Sequence, residues 1–219
     1  MNLICLDFDG VLFDDRRFKK EYELLFRRTG ISRDVYEKTY QESKKKGYYD
    51  PRVHIRLALG FASHESGIQK NLYARVTKFL NQSARFIYPD VFDFLGFLRR
   101  ENIGVMLLST GDSGFQQQKI SKSGIGDLCD DVVIISGSSK VRAIDLIMRR
   151  EKPEHIIFID DKKDVVEEIK KSLPSIYVIQ MLRNDTEKPA NNTDLCVNNF
   201  SQTIEFIKKW QHYGIDHTG

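Results

Sequence analysis

Apolar positions along the chain follow two regimes. In the first, short continuous apolar runs end in polar turns: Leu3 to Leu6, Gly104 to Leu108, Val132 to Ile135, Ile156 to Ile159 and Ile176 to Ile179, with a shorter strand-like run at Leu195 to Val197. Runs of this length and composition read as strands buried on both faces. After Pro89 they alternate with stretches of helical period at Val91 to Glu101, Phe115 to Ser123, Val141 to Arg150, Val165 to Ser172 and Ser201 to Trp210. Strand and helix in alternation predict an α/β fold, a parallel sheet with helices on both faces. In the second regime, from about Asp15 to Ile87, no strand pattern occurs. Phe18, Tyr22, Leu25 and Phe26 fall at helical spacing, as do Val35, Tyr36 and Tyr40, and further helical segments run through Val53 to Leu59 and Leu72 to Leu80. Gly30 and Gly60 are expected stops, and Ser32 and Ser63 expected caps. The expected organisation is therefore a discontinuous core, 1–14 and 88–219, with a small α-helical cap inserted at 15–87.

Three of the predicted strands end in residues that carry chemistry. Leu3-Ile4-Cys5-Leu6 leads into Asp7-Phe8-Asp9-Gly10, Gly104 to Leu108 leads into Ser109-Thr110-Gly111, and Ile156 to Ile159 leads into Asp160-Asp161, with Asp164 three residues on. Ligands of open α/β sheets bind beyond the carboxyl ends of the strands. If the three strands are parallel, Asp7, Asp9, Ser109, Asp160 and Asp161 share one rim. Like charges that close are costly to hold together, so a bound cation is their natural partner.

Taken in order, these residues resemble the four sequence signatures of the haloacid dehalogenase superfamily of aspartate-nucleophile phosphohydrolases. Asp7-Phe8-Asp9-Gly10-Val11 matches the first motif, and Ser109 fits the second, with Thr110 as its rival. Lys140, in Ser138-Ser139-Lys140-Val141, fits the third. Asp160-Asp161 with Asp164 fits the fourth, where the commoner family form is Gly-Asp with another Asp four residues later. The resemblance covers nearly the whole chain. It implies a Rossmann-like core and a Mg²⁺-dependent phosphatase that hydrolyses a small phosphorylated metabolite through an aspartyl phosphate. Asp7 would be the nucleophile and Asp9 the general acid and base, with its pKa raised toward the working pH. Ser109, Thr110, Gly111 and Lys140 would hold the phosphoryl group. Mg²⁺ would be held by the Asp7 carboxylate, the backbone carbonyl of Asp9, and either Asp160 or Asp161.

Two other readings stand beside it. A sugar-phosphate mutase runs on the same aspartyl phosphate, and a non-catalytic protein could keep the fold and bind a polyanion or nucleic acid. The intact acid pair argues against the second, since a binding module has no need of Asp9, so nucleic acid is not an expected partner. A dehalogenase has no use for Asp9 or for a Mg²⁺ site. The Asp7 to Gly10 segment is not an EF-hand loop, whose glycine stands at position six, and no Gly-x-x-x-x-Gly-Lys-Ser/Thr occurs.

Charge and composition refine this picture. The net charge is only +3, but residues 15–87 carry 17 lysines and arginines against 8 acids, so the cap is basic and the rest acidic. A basic lid would favour anionic substrates. Gly47-Tyr48-Tyr49-Asp50-Pro51-Arg52 forms a turn between cap helices and makes Arg52 a candidate substrate contact; His54 is expected to be a surface or packing residue. With 41% hydrophobic residues in 219, the chain can build a sizeable core. No run is long enough to span a bilayer, and no signal-peptide pattern is present, so a cytoplasmic monomer or homodimer is expected. Three cysteines, Cys5, Cys129 and Cys196, without CxxC spacing point to neither zinc nor disulfides.

Overall fold

The computed structural model describes residues 2–213 apart from 46, 62–65, 138 and 185–187. Six strands, β1 (Asn2–Leu6), β2 (Gly104–Thr110), β3 (Asp131–Ile135), β4 (His155–Asp160), β5 (Tyr177–Met181) and β6 (Leu195–Val197), form one parallel sheet in the order β3-β2-β1-β4-β5-β6. The chain runs outward from β1 to β3 and then returns to β4 on the other side of β1. That reversal opens a crevice beyond the carboxyl ends of β1 and β4, the place where such sheets bind ligands. Leu6 pairs with Ile159 in the register, so Asp7 and Asp160 leave the sheet side by side.

Alternation along each strand explains the continuous apolar runs. Leu3 and Cys5 face one side, where Met106, Leu108, Phe158 and Val178 join α7 (Lys140–Glu151) and α8 (Lys163–Ser172) through Ile144, Ile147, Val166 and Ile169. Ile4 and Leu6 face the other, packed with Phe94 and Leu98 of α5 (Val91–Arg100), Phe115 and Ile120 of α6 (Ser113–Ser123), and Phe200 and Ile207 of α9 (Phe200–Tyr213). Both faces are covered, as a parallel sheet requires.

Four helices stand between β1 and α5: α1 (Asp15–Arg27), α2 (Arg33–Glu42), α3 (Pro51–Phe61) and α4 (Ser66–Leu80). Phe18, Tyr22 and Phe26, spaced four apart, form the buried stripe of α1. Asp14 caps α1 by accepting from Arg17 N at 2.9 Å, and Ser32 caps α2 by accepting from Val35 N. Gly30 takes a left-handed φ of +88° past the end of α1, as expected of a helix stop. Gly60 does not stop α3, which runs on to Phe61; Pro51 at its first position and Asp50 Oδ1, accepting from Arg52 N and Val53 N, define its start instead. Ser63 lies outside the described residues.

The inserted helices share one hydrophobic cluster with the sheet. Phe18 meets Phe13 at 5.2 Å, Phe86 at 5.3 Å and Phe115 at 6.1 Å between ring centroids, which ties α1 to the turn after β1 and to α6. His54 is a packing residue. It is fully buried, stacked on Phe26 at 4.6 Å, with Nδ1 2.8 Å from the Tyr49 hydroxyl and Nε2 3.2 Å from the Tyr36 carbonyl. Among the described residues, no helix is long and apolar enough to cross a membrane, and the three cysteines are free.

Candidate active site

The site is built from three strand ends and two helix starts. Asp7 follows β1 and is nearly fully buried; its backbone N–H donates to the Ile159 carbonyl at 2.9 Å, which locks the β1 end to β4. Lys140 stands at the first position of α7, capped by Ser139, and its buried ammonium bridges Asp7 Oδ1 at 2.8 Å and Asp160 Oδ2 at 2.6 Å. Asp160 Oδ1 accepts from Lys162 N at 2.9 Å, so both of its oxygens are engaged.

Two carboxylate oxygens differ. Asp7 Oδ2 and Asp161 Oδ1 are buried without a hydrogen-bond partner, and Lys162 Nζ stands 3.9 Å from the former. Oxygens of Asp7, Asp160 and Asp161 lie within 4.8 Å of one another. Burial raises the Asp7 carboxyl above its ordinary range against the pull of Lys140, and Asp160 adds to the rise. Burial, then Asp160 and Asp7, push Asp161 up to about 8. Lys140 is held above its usual value by Asp160 and Asp7 despite its burial. Crowded and all-oxygen, with two oxygens left unpartnered, this donor set fits a hard divalent cation of the Mg²⁺ type. The turn beneath it needs glycine: Gly10 has φ +83°, and a Cβ there would stand 2.3 Å from Asp161 Oδ2.

Asp9 lies on the other side of the rim, in a different environment. Lys119 of α6 donates to its Oδ1, and Gln116 Nε2, one helical turn earlier, donates to its Oδ2 at 2.7 Å. The Lys119 ammonium is buried over the rings of Phe13, Phe18, Phe8 and Phe115, at 4.7 to 5.8 Å from their centroids. Burial disfavours the Asp9 charge, but Lys119 and the two hydrogen bonds outweigh it and hold the carboxyl below its ordinary range. This corrects the expectation of a raised pKa: Asp9 has a cation of its own, Lys119, and hydrogen bonds that favour its charged form.

Ser109 is buried, and its oxygen accepts from Gln116 Nε2 at 2.9 Å, whereas Thr110 and Gly111 line the cleft. Arg52 does not line the cleft. It is an exposed residue in the first turn of α3, and the preceding turn presents Gly47, Tyr48 and Tyr49 there instead. Asp164 is exposed in the first turn of α8, outside the acid cluster.

A cleft of about 360 Å³ opens from this rim between α1, α2, the turn at Gly47 to Tyr49, and α6. Among the described residues its charged lining is balanced, with Lys19, Lys44, Lys119 and Lys162 against Asp9, Asp15, Asp112 and Asp161. The basic excess of the inserted helices lies elsewhere, in part in a groove lined by Arg28, Arg75, Lys78 and Arg85. Sequence reasoning missed Gln116, Lys119 and Lys162. Lys119 did leave a signal, a charged residue one turn after Phe115 on the apolar stripe of its helix.

Comparison with known proteins agrees with this architecture. Residues 1–172 match the family described as haloacid dehalogenase-like hydrolase. No curated protein sequence matches. Among solved structures, a protein of Burkholderia xenovorans assigned as a haloacid dehalogenase-like hydrolase superposes with a TM-score of 0.74 at 20% identity, over 96% of this chain and 98% of that one. One of Thermotoga maritima assigned as a β-phosphoglucomutase gives 0.68 at 15%, over 95% and 99%. The L-2-haloacid dehalogenase of Xanthobacter autotrophicus gives 0.61 at 16%, over 95% and 98%. At these identities the likeness is one of fold.

Proposed function

The chain belongs to the haloacid dehalogenase-like hydrolases, and on that premise we propose that it is a Mg²⁺-dependent phosphatase of a small phosphorylated metabolite. The observation that carries this reading is the pairing of a buried, unpartnered Asp7 Oδ2 with a second acid, Asp9, across the rim. Asp7 attacks phosphorus and expels the alkoxide, forming an aspartyl phosphate. Lys140 orients Asp7 through Oδ1 and leaves the buried Oδ2 without a hydrogen-bond partner. The Asp9–Lys119 pair supplies the proton that the leaving oxygen takes up, and then accepts one from the water that hydrolyses the acyl phosphate, so the pair is restored. Ser109 accepts from Gln116, which leaves its O–H to donate to a phosphoryl oxygen.

Asp7, the Asp9 carbonyl and Asp161 would hold the cation; Asp160, with both oxygens engaged, serves to anchor Lys140. When bound, the cation would neutralise charge on the acid cluster and on the phosphoryl oxygens. Residues 15–87 act as a cap over a core of 1–14 and 88–219, excluding water from the intermediate. A dehalogenase would have no task for Asp9. A sugar-phosphate mutase shares every step except the acceptor of the phosphoryl group, and is distinguished by a requirement for a bisphosphate activator.

The test is phosphate release from a panel of phosphate monoesters by wild type and Asp7→Asn, each with Mg²⁺ and with chelator. Activity confined to the wild type with Mg²⁺ is expected. Turnover by Asp7→Asn near the wild-type rate would remove Asp7 as the nucleophile.

A further inference from the structure

Resting on the phosphatase reading, we propose that the alcohol released from the phosphate carries a flat aromatic ring, received by the cleft between the inserted helices and α6. Seven aromatic side chains line that cleft: Phe18, Tyr22, Tyr36, Tyr40, Tyr48, Tyr49 and Phe115. Several are locked against one another. Tyr49 meets Phe115 edge-on at 5.4 Å and 69°, Tyr22 at 6.3 Å and 88°, and Tyr40 at 5.1 Å. The Tyr49 hydroxyl is committed to His54 Nδ1 and the Tyr22 hydroxyl, so the cleft meets its ring. Such walls offer π faces and edges in fixed positions, the surroundings in which another ring packs well.

The polar lining argues the same way. Lys19 pairs with Asp15 at 2.6 Å, Lys119 with Asp9, and Lys44 lies 4.9 Å over the Tyr40 ring. Asp112 caps α6 through Phe115 N at 2.8 Å, and the Gln116 amide nitrogen is spent on Asp9 and Ser109, leaving only its buried Oε1 without a partner. A leaving group with a second phosphate would meet aspartates along with the lysines, and a sugar would meet few free groups, Gln116 Oε1 and Asp161 Oδ1 apart, since Lys19, Lys119, Asp9 and Asp112 are bonded within the protein. An aromatic ring needs neither. The volume of about 360 Å³ sits at the small end of ligand sites, roughly 300–1,000 Å³, so it takes a single ring-bearing alcohol. Asp9, Thr110 and Lys162 line the same cleft, which places the ring next to the reacting phosphate.

The experiment is calorimetric binding of phenyl phosphate, ethyl phosphate and glucose 6-phosphate to the Asp7→Asn protein with Mg²⁺, repeated with Tyr48→Ala and Tyr40→Leu added. Tyr48 stands outside the hydrophobic cluster, so its loss leaves the fold intact. Phenyl phosphate is expected to bind about tenfold more tightly than either competitor, and Tyr48→Ala to cut that ratio about threefold. Equal affinities, tighter glucose 6-phosphate, or no binding of phenyl phosphate would overturn the proposal. Phosphate release by the wild type from all three is measured in parallel. Turnover without aromatic preference removes the ring proposal and keeps the phosphatase; aromatic preference in binding with no turnover keeps the cleft assignment and removes the reaction.

Discussion

Replacing Lys119 with methionine tests the ion pair that holds Asp9. The substitution keeps an unbranched side chain in the cage of Phe8, Phe13, Phe18 and Phe115 but removes the ammonium from Asp9 Oδ1. A contact ion pair gains about 4 kcal/mol of Coulomb energy at an effective dielectric of about 20. Lys119 retains 3% of its side-chain exposure and Asp9 20%, so water reaches the acid only in part. Breaking a buried pair costs about 3–5 kcal/mol, and the partial exposure of Asp9 puts the expected loss near the low end, about 3 kcal/mol. In a chain of this length, that lowers Tm by roughly 6–12 °C. Asp9→Asn alone strands the ammonium among the rings, and the double variant strands neither charge. Urea denaturation of the four proteins in chelator should therefore give a coupling of about 2 kcal/mol. Single costs that add to within about 0.5 kcal/mol would refute the pair as a buried, coupled unit.

Three further outcomes follow from the site and the inserted helices. Asp161→Asn should weaken Mg²⁺ binding by at least about tenfold in calorimetry, through the loss of an unpartnered ligand oxygen, whereas Asp160→Asn should mainly lower stability by releasing Lys140; the reverse pattern would exchange their roles. Gly10→Ala places a Cβ against Asp161 at a left-handed φ, so about 1–3 kcal/mol of stability and most of the Mg²⁺ affinity should go, and an unchanged thermal melt would count against that close approach. Burial depresses His54 to about 4, below its unfolded value of about 6.5. The unfolded chain therefore takes up the proton first, and stability is full above pH about 6.5 and lost progressively toward pH about 4, by roughly 3 kcal/mol. His54→Gln should flatten that part of the urea-midpoint profile, and parallel profiles for the two proteins would show that His54 stays solvated.

How much of this was legible in the sequence depends on the range of the interaction. Strands such as Leu3 to Leu6 and Ile156 to Ile159 announce themselves because burial on both faces needs apolar residues at every position, a local property of the chain. The stripe Phe18, Tyr22 and Phe26 likewise fixes α1 from spacing alone. Gly60 stands in the last turn of α3, one residue before its final residue Phe61, rather than past its end. A turn shows where a chain bends but not which of its residues faces a neighbouring element: the cleft receives Tyr48 and Tyr49, and Arg52 lies outside its lining.

The sequence by itself determined the α/β alternation, the inserted helices and the strand-end carboxylates, because each is encoded in neighbouring residues whose period or composition is dictated by local geometry. Only the tertiary structure decided that Asp160 is occupied while Asp161 is free, that Lys119 and Gln116 reach across more than a hundred residues to hold Asp9, and that the basic insertion turns a balanced, aromatic wall toward the rim. Those outcomes depend on which side chains from distant segments share a few ångströms of buried space, where the loss of water makes each pairing decisive.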